Sequence, residues 1–458
     1  MRSTTRWDVA VVGAGPAGIL ATERLRTAGL RVLLLEAGKR ERCRGVVTSP
    51  HDPRWRFRSI GARAQWQRAH GVGGGTLLWG GWANRFAGPV FRDGNWPYDA
   101  ATLTPAYTEA ERWLGVIEGM LDPRYVRAAT TLGLPFRPRR GAKIGRKTWT
   151  ARSSPAARTA QIETIAIALD LKGNRAHTLS TIDPTGRERE IAARAFVLAA
   201  SPLETCRILL ASGVKHPALG RGLVDHASVG YLLVEPSSKI PPGERGPFPG
   251  SAFIPRFVNL GEAPSRAYRG GFSIEIVGPW PLRGLGKEML TQLGLSARRG
   301  MRHTFITAIG ELSPHPERYV DLAPQARDAF GRLIPCIRFA WSDHERQMVA
   351  EMQQVCIAVA EAIAAPGAEL LLLSDPFHAP FIFHPAGVCA LGKTEAALCN
   401  PGGRLWTLEN VCIADASVLP SAGDCHPTLT VLAHTIRMTE EVLKNFNPTR
   451  SHASRMGS

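Results

Sequence analysis

The amino-acid sequence predicts an α/β fold, in which a doubly wound, Rossmann-like domain is joined to a second domain with a mostly antiparallel sheet. Residues 7–37 form an apolar strand, a glycine-rich turn, a helix and a second apolar strand, which is the order of a βαβ unit. From about 228 to 345, apolar and polar residues alternate along short strands, a pattern typical of an antiparallel sheet. Residues 381–446 return to the pattern of the first domain.

These patterns set the expected domain boundaries. The first domain is expected to be discontinuous, over residues 1–227 and 381–447, with 85–150 lying partly on the side of the second domain. The second domain is expected over 228–380, and 448–458 is expected to be a disordered tail.

Several elements can be predicted individually. Residues 99–115 indicate a helical pair with Asp99 as N-cap, and 202–213 indicate a helix that stops at a glycine. A long amphipathic helix is expected at about 343–365, and the segment 335–341 (PCIRFAW) is expected to be a strand of the antiparallel sheet.

Composition limits the classes of partner. The chain has 458 residues, of which 44% are hydrophobic, and a formal net charge of +17. The positive charge is spread along the chain without a motif that reads nucleic acid, so we expect no nucleic-acid partner and interpret the excess as solvated surface charge. An anionic substrate and a weak attraction to anionic membrane surfaces stay open. No run of eighteen apolar residues and no secretory signal occurs, so we expect no transmembrane segment and a cytoplasmic location. The eight cysteines form no CxxC pair or metal-ligand cluster, so no metal site is expected.

The glycine-rich turn predicts a dinucleotide site. Gly13, Gly15 and Gly18 form a GxGxxG motif, completed by Pro16 and Ala17, between a strand and a helix. The first glycine permits the tight turn, the second lets the backbone approach a pyrophosphate, and the third allows close packing of helix on strand. Glu36, followed by Ala37, ends the second strand, where a carboxylate can accept hydrogen bonds from the ribose hydroxyls and disfavours a 2′-phosphate.

FAD is the expected dinucleotide. The turn GAGPAG followed by EAG is more typical of FAD-binding units than of NAD-binding ones, and no second GxGxxG provides a nicotinamide domain. We therefore expect electrons to come from the substrate.

Other segments carry a resemblance to a known family. Residues 73–81 (GGGTLLWGG) form a second glycine-rich loop, and it is followed by Arg85 and by residues 96–98 (WPY). Near the C-terminus stand 384–392 (HPAGVCALG), 410–420 (NVCIADASVLP) and 425–430 (CHPTLT). With 198–213 and 222–226 in the middle of the chain, these segments resemble, in the same order, the glucose–methanol–choline (GMC) oxidoreductases.

The resemblance implies which residues contact FAD. Leu78 stands where some members carry a histidine that attaches the flavin, so the resemblance implies non-covalent FAD. It implies further cofactor contacts from Gly73, Gly74, Gly75, Thr76, Leu77, Trp79, Gly80, Ala200, Asp415, Ala416, Pro427 and Thr428. A helix beginning at Pro427 and Thr428 would place its positive end near the flavin.

The resemblance also implies the chemistry. Two side chains of the family act beside flavin N5, and they correspond to His384 and His426. We expect His384 to be the general base for an alcohol hydroxyl and His426 to hydrogen-bond the substrate oxygen, before hydride passes to N5, and an exchange of these two roles stays open. His226, His378 and His434 are interpreted as structural, and His70 as structural with a flavin-side role left open.

The expected function is FAD-dependent oxidation of an alcohol, such as a sugar or secondary-metabolite hydroxyl, to an aldehyde or ketone. The electron acceptor is left open between O2 and a quinone or other carrier. Two alternatives also stay open: an FAD-containing lyase of the same fold, and the flavoprotein subunit of an electron-transfer complex. Five aromatic residues are candidates for the pocket wall: Trp82, Phe253, Phe257, Trp280 and Phe383.

Overall fold

The computed structural model describes residues 7–40, 55–61, 66, 68–93, 95–144, 147–240, 251–257, 270–373 and 383–446. The predicted tail 448–458 and His378 lie outside these ranges. The helices are α1 (Pro16–Thr27), α2 (Gly88–Asp93), α3 (Ala100–Leu114), α4 (Pro123–Thr131), α5 (Pro202–Ala211), α6 (Lys287–Gln292), α7 (Asp343–Ile363) and α8 (Thr428–Phe446).

The strands form four sheets. In chain order they are β1 (Trp7–Val12), β2 (Val32–Leu35), β3 (Arg58–Gly61), β4 (Val116–Glu118), β5 (Arg137–Pro138), β6 (Arg140–Ile144), β7 (Lys147–Thr148), β8 (Ile165–Lys172), β9 (Arg175–Ile182), β10 (Glu188–Leu198), β11 (His226–Pro236), β12 (Ser251–Phe257), β13 (Gly271–Pro281), β14 (Met301–Glu311), β15 (Tyr319–Arg327), β16 (Leu333–Phe339), β17 (Glu369–Leu372) and β18 (Val411–Ile413).

The first sheet is Rossmann-like and is built from distant parts of the chain. Strands β2, β1, β10 and β18 are neighbours and run parallel. Leu198 of β10 pairs with Val12 of β1 on one side and with Ile413 of β18 on the other. The carboxyl ends of these strands therefore lie at one edge, which is where open α/β sheets bind ligands.

The second sheet is antiparallel, as the alternating pattern predicts. Its order is β17-β11-β14-β13-β12, with the short β5 at the edge, and β11 pairs with β14 from His226 opposite Glu311 to Pro236 opposite Met301. Helix α7 packs on it and begins with a capping box at Ser342. A side chain at Gly310 of β14 would place its Cβ 2.7 Å from both Met348 and Met352 of α7, so this glycine permits the close approach.

Two expectations about elements are wrong. The segment 335–341 contributes to β16, which pairs with β15 and β3 in a separate three-stranded sheet, because alternation shows which side chains are buried but not which strand is the partner. Residues 100–114 form one helix rather than a pair. Its N-cap is Asp99, as predicted, and Pro105 lies within the first two turns.

Among the described residues, none of the helices combines the length and hydropathy required to cross a membrane.

Candidate active site

A cavity of about 530 Å³ lies at the carboxyl edge of the parallel sheet. Its lining comes from both ends of the chain, with Gly13 and Glu36 at one end and His384 and Thr428 at the other. Of the residues predicted to contact a cofactor, those that line it are Gly13, Gly15, Pro16, Ala17, Glu36, Ala37, Gly74, Gly75, Trp79, Ala200, Asp415, Ala416, Pro427 and Thr428. The other predicted residues are not among the lining residues: Gly18, Gly73, Thr76, Leu77 and Gly80.

The GxGxxG turn has the geometry that its sequence predicts. Gly13 has φ +105°, and a Cβ there would lie 2.3 Å from the Ala199 carbonyl oxygen; a Cβ at Gly18 would lie 1.9 Å from the Gly13 carbonyl oxygen. The nearest described atom to a Cβ at Gly15 is the Gly74 Cα, 4.0 Å away. Gly15 is the N-cap of α1 and no described side chain caps this helix, so its first N–H groups can receive an anion.

Glu36 ties three backbone segments together beside the cavity. Its Oε2 accepts a hydrogen bond from the Ala14 N–H at 2.9 Å. Its Oε1 accepts from the N–H groups of Gly38 at 2.8 Å and Gly71 at 3.0 Å. Burial raises the pKa of this carboxyl, and the backbone N–H groups oppose that rise. The carboxylate thus orients the turn, and its remaining lone pairs can accept from a ribose.

The second glycine-rich loop packs on the first. The Gly73 N–H donates to the Ala14 carbonyl at 2.8 Å, and a Cβ at Gly74 would lie 2.8 Å from the Gly15 Cα. Thr76 braces the loop from behind, since its hydroxyl donates to the Gly73 carbonyl at 2.6 Å and accepts from the Ala151 N–H at 3.0 Å. The two loops thus form one backbone cradle, and side chains at these glycines would separate them.

The C-terminal segments close the other side of the cavity. Asp415 caps a short 3-10 turn by accepting from the Ser417 N–H at 2.9 Å, and it accepts from the Thr205 hydroxyl at 2.5 Å. Helix α8 begins at Thr428, and the Pro427 carbonyl accepts its hydrogen bond from the Val431 N–H at 2.9 Å. The start of this helix therefore lines the cavity, as the sequence predicts.

The two predicted histidines lie side by side. The ring centroids of His384 and His426 are 4.8 Å apart, with the rings inclined at 75°. His384 lines the cavity, whereas His426 lies beside it and stacks on Trp82 at 5.6 Å. Burial, together with any positive charge on His426 or His226, lowers the pKa of His384 well below its usual range.

The antiparallel sheet contributes a carboxylate to this pair. The carboxylate of Glu275 on β13 lies 3.3 Å from the His426 Nε2. Arg139, whose guanidinium carbon lies 3.4 Å from the centre of the Trp82 ring, stands close to Glu275. No sequence motif marks Glu275, because only the folding of the antiparallel sheet brings it to His426.

His226, interpreted as structural from the sequence, contacts the predicted base. Its Nδ1 lies 3.1 Å from the His384 Nδ1, and its Nε2 lies 3.0 Å from the Gly423 carbonyl oxygen. His434 is buried, and its Nε2 forms a hydrogen bond with the Ile413 carbonyl oxygen at 3.1 Å, as expected of a structural histidine. His70 lines the cavity and stacks on Trp55 with centroids 3.9 Å apart.

The cavity also has lining residues that sequence reasoning missed. At the Glu36 end these include Thr164, Ile165 and Ala166, which the backbone places there because the Thr164 N–H donates to the Glu36 carbonyl at 2.9 Å. Ser201 also lines the cavity and has φ +76°, a conformation that favours glycine, so the serine itself gave no signal for it. The five aromatic candidates lie in different places. Phe383 lines the cavity and Trp82 stacks on His426. Phe253 is buried in the sheet, Trp280 is partly exposed, and the side chain of Phe257 lies outside the described part.

A buried ionic cluster forms the wall near Glu36. Glu204 is paired with both Arg68 and Arg207, and Arg332 is paired with Asp328. Although burial alone raises it, the guanidinium groups of Arg207, Arg68 and Arg332 bring the pKa of Glu204 well below its usual range. Because each charge is paired, the cluster can be retained in the interior.

Comparisons with known proteins give the family. Residues 139–228 and 314–435 match the sequence models of the N- and C-terminal parts of the GMC oxidoreductases, and residues 11–71 match an NAD(P)-binding Rossmann-like domain. Among curated relatives, 2-methyl-1,2-propanediol dehydrogenase of Mycolicibacterium austroafricanum is 25% identical, over 97% of this chain and 96% of its own length. Paromamine 6′-oxidase of Streptomyces fradiae is 26% identical, over 95% and 91%.

Solved structures agree on the fold. The structure of pyridoxine 4-oxidase from Mesorbium loti superimposes with a TM-score of 0.72 at 19% identity, over 95% of this chain and 99% of that one. Formate oxidase from Aspergillus oryzae RIB40 gives a TM-score of 0.70 at 14% identity, over 97% and 99%.

The cavity fits FAD, the cofactor of this family. A Cβ added at Gly15 would meet no described atom nearer than 4.0 Å. A channel therefore stays open beside the Gly15 and Gly74 backbones, as a bound pyrophosphate requires. The lining then continues from Glu36 to His384, beside which His426 lies, and this is the span that a dinucleotide with a reactive end would occupy. The chain belongs to the GMC oxidoreductase family and is an FAD-dependent oxidoreductase.

Proposed function

We propose that this protein oxidises a primary or secondary alcohol to an aldehyde or ketone, with His384 as the general base and His426 as its partner. The observation that carries the proposal is the position of the two imidazoles, with centroids 4.8 Å apart, at one end of a cavity whose other end is a dinucleotide cradle. FAD bound in this cavity would supply the acceptor for the hydride that leaves the alcohol carbon.

The proposed cofactor contacts follow the cavity. The N–H groups at the start of α1 and the glycines of the GxGxxG turn would hold the pyrophosphate, and Glu36 would accept from the ribose hydroxyls. The start of α8 at Thr428 would direct the positive end of a helix dipole to the flavin. The domain boundaries proposed from the sequence are consistent with these roles, because the cavity lining comes mainly from the two ends of the chain and Glu275 comes from the antiparallel sheet.

His384 is suited to remove the hydroxyl proton. Because its pKa is lowered, its imidazole is neutral at working pH and can accept a proton. The Glu275 carboxylate can only accept, so the His426 Nε2 carries a proton toward it. This contact would hold the His426 ring against Trp82, where its other nitrogen can hydrogen-bond the substrate oxygen.

The substrate proposed is an alcohol of sugar-like or secondary-metabolite type. The relatives named above act on a small diol and on paromamine by their names, and pyridoxine 4-oxidase of Microbacterium luteolum is 24% identical over 93% of this chain and 98% of its own length. O2 and a quinone or other carrier are the two proposed acceptors for the electrons.

We also propose that FAD is bound non-covalently. Leu78, at the position where a histidine would attach the flavin, is 51% exposed and lines the cavity with an aliphatic side chain. The yellow protein should therefore release its flavin into the supernatant after acid or heat denaturation. Flavin that stays with the precipitated chain would contradict this part of the proposal.

An anaerobic screen tests the reaction. The FAD-loaded protein is mixed with 2-methyl-1,2-propanediol, pyridoxine, paromamine and a set of sugars, and loss of the oxidised flavin absorbance is followed. We expect at least one alcohol to bleach the flavin, and admission of O2 or a quinone then identifies the acceptor. Turnover without bleaching would instead show a lyase, and a bleached flavin that only a partner protein can reoxidise would show the flavoprotein subunit of an electron-transfer complex.

A further inference from the structure

His226 has one ring nitrogen whose protonation is fixed by its partner. The His226 Nε2 lies 3.0 Å from the Gly423 carbonyl oxygen. A carbonyl oxygen can only accept a hydrogen bond, so this nitrogen must carry the hydrogen.

The other nitrogen of His226 must then accept. Burial, and any positive charge on His426, lowers the pKa of His226 to about 3, so the ring is neutral at working pH. A neutral imidazole has one donor and one acceptor, and Nε2 is the donor. The His226 Nδ1 is therefore an acceptor, and its partner at 3.1 Å, the His384 Nδ1, must be the donor.

We propose that His226 is a positioning residue that holds His384 as the Nδ1–H tautomer and so leaves the His384 Nε2 unprotonated to act as the base. The catalytic consequence rests on the proposed function, whereas the tautomer itself does not. A free neutral imidazole exchanges between both tautomers, and only the one with a lone pair on the nitrogen that faces the substrate can remove a proton there.

Backbone hydrogen bonds hold the segments that carry His226 and His384 next to each other. Val224 and Ala386 form a β-bridge, with N–H to carbonyl distances of 3.1 and 2.8 Å in the two directions. Asp225 accepts through one oxygen from the His226 N–H at 2.7 Å and from the His384 N–H at 3.0 Å. The chain segments that carry the two rings are thus clamped together independently of the side-chain contact.

Among the described residues, the titratable groups that face this pair are Asp225 on the backbone side, and His426 with Glu275 behind it on the side of the antiparallel sheet. The imidazole of His226 is the group that contacts the His384 Nδ1, so its replacement tests the tautomer with the smallest change to the surrounding charges.

Nitrogen NMR tests the tautomer without any substrate. The FAD-loaded wild-type protein is labelled with ¹⁵N-histidine, and the signals of His226 and His384 are assigned by their loss in His226→Gln and His384→Gln. At neutral pH we expect His226 as the Nε2–H form and His384 as the Nδ1–H form. A His384 ring found as Nε2–H would overturn the proposal, whether or not any alcohol reduces the flavin.

Two variants test the consequence for the base. His226→Gln keeps a donor for the Gly423 carbonyl but lacks an acceptor at the Nδ1 position, whereas His226→Asp offers an acceptor there that cannot donate. With the alcohol that bleaches the wild-type flavin fastest, we expect His226→Gln to reduce its flavin roughly 10- to 100-fold more slowly, the scale for losing a group that orients a histidine. We expect His226→Asp to recover most of that rate.

The pH profiles separate positioning from simple structural support. An acceptor on Nδ1–H favours the protonated imidazole, so the acid limb of flavin reduction should move to lower pH in His226→Gln and to higher pH in His226→Asp. Equal losses in both variants with unmoved limbs would overturn the positioning role. If no alcohol reduces the wild-type flavin, the proposed function fails, and the NMR measurement still decides the tautomer.

Discussion

Asp225 is a buried carboxyl whose two oxygens have different surroundings. One oxygen accepts from two backbone N–H groups, and the other has no hydrogen-bond partner among the described residues. Burial raises the pKa of Asp225 to about 7, against the two backbone hydrogen bonds. The folded protein therefore retains the proton of Asp225 at pH values where the unfolded chain has lost it, since a free aspartate ionises near ~3.9.

This difference predicts a pH dependence of stability. The stabilisation from protonated Asp225 is complete below about pH 4 and is lost as pH rises through about 7. Asp225→Asn retains a carbonyl oxygen for the two N–H groups and does not ionise. Both proteins are measured with saturating FAD. We expect the free energy of unfolding of Asp225→Asn, minus that of wild type, to rise by about 2–4 kcal/mol between pH 4 and pH 8.

Urea unfolding at a series of pH values measures how this difference in free energy changes with pH. A pH-independent loss of stability caused by the asparagine does not affect that change. The substitution Asp321→Asn is the matched control, because Asp321 is a partly exposed acid paired with Arg221. A difference between wild type and Asp225→Asn that does not change with pH would contradict the assignment.

At the same scale, the sequence predicted the roles of some residues that sit in motifs and missed the roles of others. His384, His426 and Asp415 were predicted because each stands in a segment that resembles a family pattern. The roles of His226, which stands in the segment 222–226, and of Glu275, which stands in no such segment, were not predicted, because these roles depend on which ring or carboxylate lies opposite each side chain. That information comes from the Val224–Ala386 bridge and from the order of the antiparallel sheet, in which β13 pairs with β14 and β14 pairs with β11.

At the scale of elements, the site is a consequence of parallel pairing. The residues that follow β1, β10 and β18 are Gly13, Ala199 and Ala414, and their strands end side by side. A turn at each strand end then delivers a glycine cradle, Ser201 and Asp415 to one edge.

Substitutions of two glycines in the first turn should affect different properties, FAD affinity at Gly15 and stability at Gly18. Gly15→Ala would place its methyl 4.0 Å from the nearest described atom, inside the space assigned to the cofactor. We expect this variant to fold with the stability of the wild-type apoprotein and to bind FAD roughly 10-fold more weakly, or about 1.4 kcal/mol. Flavin fluorescence titration measures the affinity, and thermal unfolding without FAD measures the fold.

Two further variants complete this comparison. Gly18→Ala would collide with the Gly13 carbonyl at 1.9 Å, so it should destabilise the apoprotein by about 1–3 kcal/mol. Gly284→Ala meets no described atom within 4 Å and lies outside the cavity, so it should change neither quantity. If Gly15→Ala bound FAD as tightly as Gly284→Ala, the assignment of this channel would be wrong.

Elements with local signals were predictable, and those that depend on distant partners were not. The capping residue Asp99 marked the start of α3 correctly, and the long helix predicted at about 343–365 was found as α7. The pairing of β16 with β3 was not predictable, because a parallel partner more than 270 residues earlier leaves no trace in local alternation.

At the scale of the molecule, the reactive end of the cavity is assembled from three regions. Its histidines come from the C-terminal third, His226 from the start of the antiparallel sheet, and Glu275 from the middle of that sheet. The dinucleotide cradle comes mainly from the first eighty residues. The proposed chemistry therefore requires the complete fold, although either set of motifs can be recognised separately.

The central claim is that His384 removes the proton of an alcohol beside bound FAD. The most direct measurement is anaerobic stopped-flow reduction of the FAD-loaded wild type and His384→Ala by the alcohol that the screen identifies, with dithionite reduction of both as the control for an intact flavin site. We expect His384→Ala to bind FAD and to be reduced by dithionite like wild type, but to be reduced by the alcohol at least ~10²-fold more slowly. Reduction of His384→Ala by the alcohol at the wild-type rate would contradict the account.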